Sequence, residues 1–379
     1  MGNRAVNRMV RVRRIILAVS AGLLLLCLAA AGASAWSNRT LPAAPAALDR
    51  LDALDKARLD EAVQLRHTLG DAVWEGWAAA DIPLLVWNHE YAFLTGFAEA
   101  PAGWQETPGD TWNGQPYYRQ AGGDPQNFAT LIGDRWVASL ATKWELDQFL
   151  MGQFRDMLPG PLEAVFPFRL LLQPTEAHLS GLLHEAFHVY QAQVAPARLE
   201  AAEAAHALGD AYWAAEDASG SGAWGDEINL LAQALDADSD DEARNLAAQF
   251  LAAREARRAA GLPAHLVTYE QELEWEEGLA KYVELAVWKA GGTTPGYVPV
   301  AALNADPDFH AYGTFDSRWS QEMITLKLQA RQQGETRFYY TGMAQAFLLN
   351  RLRPGWQALA LNDTATLEAL LSEAVGNGG

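Results

Sequence analysis

The sequence predicts an α+β fold, a mainly helical body with a small mixed sheet in its N-terminal half. Three observations predict it. Between Ile82 and Leu172 the apolar residues come in short runs broken by Gly, Pro, Asn and Asp, the pattern of strands and turns. From Pro174 onward they recur at helical spacing, with Ala-rich stretches carrying acidic and Arg faces. One cysteine in 379 residues means that burial, not disulfide stapling, must build the core.

Residues 1–35 differ in kind from the rest. Arg4, Arg8, Arg11, Arg13 and Arg14 precede an apolar run from Ile15 to Ala31, and Ala33-Ser34-Ala35 fits a small-residue cleavage site. The expectation is a secretory signal peptide cut before Trp36, or an N-terminal membrane anchor if the run is retained. The body would then be periplasmic or extracellular, touching a membrane only through that segment. With 28 basic against 47 acidic residues, the charge of −19 argues against nucleic acid as a partner.

Residues 36–48 are Ala/Pro-rich and read as a linker. An N-terminal α/β part is expected over 49–173. It starts with a helical pattern from Leu48 to about Ala80, then a strand at Ile82–Val86 with Pro83 at its start. Residues 96–127 read as a long loop or irregular hairpin, Leu131–Leu140 as strand, turn, strand, and Phe166–Leu172 as another strand. The helical part is expected over 174–379. It opens with a helix between Pro174 and Pro196, followed by Ala-rich helices over 197–217 and 226–260 that flank a Ser/Gly break. Thr268–Lys289 reads as a further helix, with Thr268 and Gln271 as a capping box and Gly291-Gly292 as its stop. Residues 291–320 read as a loop, and a last major helix runs to Leu352.

The helix after Pro174 carries His184-Glu185-Ala186-Phe187-His188, an H-E-x-x-H match. Residues four apart share a helix face, so His184 and His188 can bind one Zn²⁺. Glu185 then stands where it can deprotonate a zinc-bound water. Leu179, Leu182, Leu183, Ala186, Phe187, Val189 and Tyr190 make the surrounding helix apolar. A buried His pair with a carboxylate is expensive unless something compensates, and a metal does so directly. His178, off this spacing, reads as a packing or surface residue.

A catalytic zinc usually has three protein ligands and one open position. The third is sought in Thr268–Lys289, where Glu277-Gly278-Leu279-Ala280-Lys281-Tyr282-Val283-Glu284 resembles the E-G-x-A-x-Y-x-E of the gluzincin metallopeptidases, the thermolysin- and aminopeptidase-like superfamily. The resemblance implies a zincin-like catalytic domain holding one zinc ion, with Glu277 as third ligand. Glu276 competes for that role on a different face. Gly278 would let its helix approach the metal-bearing helix closely, and Glu284 would orient a ligand His. Glu270, Glu272 and Glu274 read as an exposed acidic face. The resemblance also implies a downstream Tyr that donates to the oxyanion, assigned to Tyr340 with Tyr339 as alternative. It further implies an edge strand for extended substrate, sought at Arg135–Ser139, with the aromatic loop 104–118 walling the cleft.

The expected function is an exported zinc-dependent metallohydrolase, a peptidase acting on a peptide or amide-containing substrate with Glu185 as general base. The alternatives are a zinc hydrolase of a non-peptide cell-envelope substrate and a zincin-like binding protein without turnover.

Overall fold

Short apolar runs between Ile82 and Ala141 pair into a six-stranded mixed sheet. The computed structural model describes residues 19, 22, 25–122, 127–163, 165–219, 222–362 and 364–376. The strands are β1 (Leu84–Trp87), β2 (Tyr91–Leu94), β3 (Gln105–Glu106), β4 (Tyr118–Ala121), β5 (Ala129–Ile132) and β6 (Arg135–Ala141), in the order β3-β4-β2-β1-β6-β5. Only β1 and β6 run parallel, with Leu84 opposite Ala138; the other pairs are antiparallel. Alternation along each strand sends Leu84, Val86, Phe93, Ala138 and Leu140 into the main core. Leu85, Ala92, Leu94, Tyr118 and Val137 form a small apolar cluster on the other face.

The sheet corrects the expected edge. Arg135–Ser139 belongs to β6, which lies between β1 and β5. Gly133, at φ +66°, turns the chain so tightly that β5 folds back over the outer side of β6, making β5 the edge strand.

The principal helices are α1 (Ala53–Val73), α2 (Lys143–Met157), α3 (Thr175–Val194), α4 (Pro196–Ala205), α5 (Gly209–Ser219), α6 (Gly222–Asp236), α7 (Asp240–Ala259), α8 (Ala264–Leu273), α9 (Leu279–Thr293), α10 (Phe315–Gln329), α11 (Thr336–Leu352) and α12 (Leu367–Gly376). The fold is mostly helical with a small mixed sheet, an α+β architecture. α3 packs on β6 and against α1 and α9, and its central residues are nearly all buried.

Several local expectations fail for identifiable reasons. Phe168–Leu171 is a 3-10 turn, not a strand; Phe166 stacks on Phe154 and meets Phe168 edge-on, contacts local to this segment and not to the sheet. The stretch 226–260 is two helices, because Ser239 caps α7 by accepting from Glu242 N. Thr268 is not a cap: α8 starts after Pro263, and the Thr268 hydroxyl donates back to Ala264 O. Most important, α8 does not run straight into α9. Glu274–Gly278 forms a π-helical turn between them.

Ala47–Ala141 and Pro174–Gly379 form one compact unit, and Met1–Ala46 with Thr142–Gln173 a second. In the second, Asn38 Nδ2 donates to Phe166 O (2.8 Å) while Asn38 Oδ1 accepts from Arg169 N (3.3 Å). Much of the expected leader lies outside the described residues; of it, 25–35 are helical. Among the described residues no helix is long and apolar enough to cross a membrane.

Candidate metal centre

The helical spacing of His184 and His188 puts both imidazoles on one face of α3, ring centroids 4.9 Å apart. The π-helical turn brings Glu277 to the same point. His184 Nε2 and His188 Nε2 are 3.2 Å apart, and Glu277 Oε2 stands 3.2 Å from the first and 3.3 Å from the second. Four ligands at zinc's usual bond lengths of roughly 2.0–2.1 Å form a tetrahedron with edges of about 3.3 Å. The three donors therefore already outline one face of that tetrahedron.

Their neighbours fix which nitrogen of each ring faces inward. Gln191 is fully buried, and its amide NH₂ donates to Trp275 O (3.1 Å) and Glu276 O (3.3 Å). Its Oε1 must then accept from His188 Nδ1, 2.8 Å away, which leaves the lone pair on Nε2. His184 Nδ1 faces Glu284 Oε2 at 3.6 Å, and the other oxygen of Glu284 accepts from Lys281 Nζ (2.8 Å) and Arg318 Nη2 (3.1 Å). Two lone-pair nitrogens and a carboxylate oxygen thus converge in a buried place, an arrangement that repels itself unless a cation sits among them. The protonation behaviour of the metal-free cluster reflects this. Burial would lower the His184 pKa, but the Glu277 and Glu284 carboxylates beside its two nitrogens raise it to about 10. Burial would raise the Glu277 carboxyl, yet His188 and His184 hold it well below the ordinary range. These residues fit a tetrahedral divalent ion.

The π turn is held from three sides. Glu274 accepts from Arg254 through both oxygens (2.7 and 2.8 Å), from Thr341 Oγ1 (2.6 Å) and from Gln345 Nε2 (2.8 Å). Trp275 is fully buried and donates from Nε1 to Ala360 O at 2.7 Å. Gln191 takes up two of the turn's carbonyls, which joins the turn directly to the helix bearing His188. A π turn inserts one residue into a helix and rotates the next turn about the axis, a device frequent at functional sites.

Gly278 is required, though not for the expected reason. It faces α11 and not α3: a Cβ at Gly278 would lie 2.5 Å from Gly342 Cα, and one at Gly342 would lie 2.7 Å from Gly278 Cα. The expectation of an exposed acidic face also fails. Glu270 and Glu274 are buried because Arg254, Arg257 and Arg258 of α7 reach across to pair with them.

Glu185 lines a cavity of about 60 Å³ with His184, His188, Glu276, Glu277 and Tyr339. No hydrogen bond engages its carboxyl among the described residues, and burial pushes its pKa up to about 7 against the pull of His184 and His188. Tyr340, the sequence's first choice as donor, is not here. It points toward Glu322 and lies under Lys281 Nζ (5.7 Å to the ring centroid). Tyr339 takes the place instead: it lines the cavity with its ring parallel to His184 (9°, centroids 5.9 Å apart), and burial together with the nearby Glu277 carboxylate pushes its hydroxyl pKa well above the ordinary value. One residue along a helix is about 100° of rotation, and Tyr340 is drawn the other way by Glu322.

His178 is buried, with Nε2 2.9 Å from Ala141 O, and takes no part in the cluster. The loop 104–118 contributes nothing to the cavity, because its strands lie at the far edge of the sheet from β5. Sequence reasoning missed Glu203 and His206. His206, Glu276 and Glu277 form a second set of donors within 4.8 Å of one another. His206, however, has both nitrogens against carboxylates, Nε2 3.1 Å from Glu276 and Nδ1 3.1 Å from Glu335, and these raise its pKa to about 9. It bridges Glu276 and Glu335 at the margin of the cluster. Among family models, curated proteins and solved structures, none matches the chain.

Proposed function

We propose that this chain is an exported zinc-dependent metallohydrolase of gluzincin type, acting on peptide bonds. The observation that carries the reading is the face of three donors, His184 Nε2, His188 Nε2 and Glu277 Oε2, spaced 3.2–3.3 Å apart around one point, with an uncommitted carboxylate beside it. When bound there, zinc supplies Lewis acidity toward a carbonyl oxygen and a water molecule.

The rest is done by the chain. His188, oriented through Gln191, and His184, oriented through Glu284, present fixed lone pairs. Glu185, buried and otherwise unengaged, accepts a proton from the attacking water and passes it to the leaving amine. The Tyr339 hydroxyl, in the same cavity as Glu277 and Glu185, donates to the oxygen on which negative charge develops. The outer edge of β5, unpaired among the described residues, offers its backbone groups to an extended substrate.

The test is Glu185→Gln loaded with zinc and assayed on a peptide mixture by mass spectrometry. Zinc content should be retained, and cleavage should fall by at least roughly 10²-fold, the usual scale for general acid–base catalysis. Undiminished cleavage in that variant would end the proposal.

A further inference from the structure

Beside the small cavity at the cluster lies a larger groove of about 550 Å³, within the roughly 300–1,000 Å³ range of ligand sites. The two share Phe128, Ala129, Leu199 and Glu203, so the groove is continuous with the place where a reacting bond would sit. Its floor and one wall are apolar: Phe128 and Leu131 come from edge strand β5 and the residue before it, Trp136 from the neighbouring β6, and Leu199 from α4. Phe128 and Leu131 are 44% and 54% exposed, unusually open for large side chains flanking an edge strand.

The rim across from them is acidic. Glu200 and Glu203 sit on exposed α4 positions lining the groove, and neither has a hydrogen bond or ion-pair partner among the described residues. The buried carboxylates Glu227, Glu270, Glu274, Glu284 and Glu322 all meet Arg or Lys, whereas Glu200 and Glu203 face the groove without a basic partner among the described residues. Two carboxylates left unpaired at the mouth of an apolar groove make a field that attracts cations and repels anions.

We infer that this groove is a specificity subsite for a peptide segment in which a large apolar side chain stands next to Lys or Arg. The apolar side chain fills the space between Trp136 and Leu199, and the basic group meets Glu200 and Glu203. The inference takes its placement from the peptidase reading, but binding tests it independently of turnover.

The experiment measures fluorescence anisotropy with zinc-loaded Glu185→Gln and labelled ten-residue peptides. The centres are Phe-Arg-Arg, Phe-Glu-Glu and Ser-Arg-Arg in a common Gly/Ser frame. Phe-Arg-Arg should bind at least about ten-fold tighter than either of the others, with its margin over Phe-Glu-Glu shrinking as salt rises. The double variant Glu200→Gln/Glu203→Gln, made in the same background, should lose the basic-over-acidic preference and keep the preference for Phe over Ser. Equal affinity for the three peptides, no binding of any, or a charge preference untouched by the double variant would each overturn the inference. The peptidase reading fails separately. If wild-type protein cleaves nothing while Glu185→Gln still discriminates among the peptides, the groove stands and the hydrolase does not.

Discussion

Gly278→Ala adds one methyl group where the π turn meets α11, and the structure fixes what that methyl meets. Its carbon would lie 2.5 Å from Gly342 Cα, 2.9 Å from Gly342 C and 3.1 Å from Met343 N. These are backbone atoms of a helix that is buried along most of its length, so no side chain can swing away. Restoring an ordinary carbon–carbon contact of about 3.5–4.0 Å requires the turn and α11 to part by roughly 1 Å. Overpacking of this kind costs about 2–3 kcal/mol, which in a chain of 379 residues lowers the thermal midpoint by roughly 3–4 °C. Because Glu277 sits on the turn and Tyr339 on α11, the same movement opens the donor face, and zinc affinity should fall about 10–100-fold. Calorimetry and competition with a chromophoric chelator read the two effects. Gly225→Ala is the control. Gly225 lies in α6 with nothing within 4 Å of the added carbon, so the same change should stabilise by about 0.5–1 kcal/mol. A Gly278→Ala protein that melts within about 1 °C of wild type and holds zinc as tightly would refute the reasoning.

The same geometry sets other outcomes. Tyr339→Phe should lower kcat by roughly 10–10³-fold with little change in KM, the behaviour of a lost oxyanion donor, whereas Tyr340→Phe should leave kcat within about two-fold; the reverse ranking would restore Tyr340 to the site. Acid should loosen the α7–α8 cluster. Burial would raise the Glu270 carboxyl, but hydrogen bonds and charge from Arg257 and Arg258 lower it to about 2. A lowered carboxyl pKa stabilises the fold above its unfolded value and loses that contribution as pH falls from about 4.5 toward 2, on the order of 3 kcal/mol here. Urea titrations across that window should show the loss in wild type and a much flatter acid limb in Glu270→Gln; identical acid limbs would contradict it.

How much could be read beforehand depended on whether a signal was local. His184, Glu185 and His188 sit in a helix whose apolar periodicity and flanking prolines declare it, so both its limits and its site face were legible. The Gly133 turn likewise announced β5 and β6, but not which would be the edge, because order across a sheet is set by tertiary pairing. Glu270 and Glu274 looked solvent-facing because helical spacing cannot show that three arginines arrive from another helix. The choice between Tyr339 and Tyr340 turned on a single helical step. The π turn left only an indirect trace, a run of Glu and Trp before Gly278, and its carbonyl partner Gln191 lies on a different helix.

Metal content of the purified chain tests the central claim most directly. Elemental analysis of protein prepared without chelator should find about one zinc per chain, falling to background in His188→Ala and Glu277→Ala while both variants remain folded by circular dichroism. A wild-type protein without zinc that takes none up from buffer, or variants that keep it, would contradict the metal centre built from His184, His188 and Glu277.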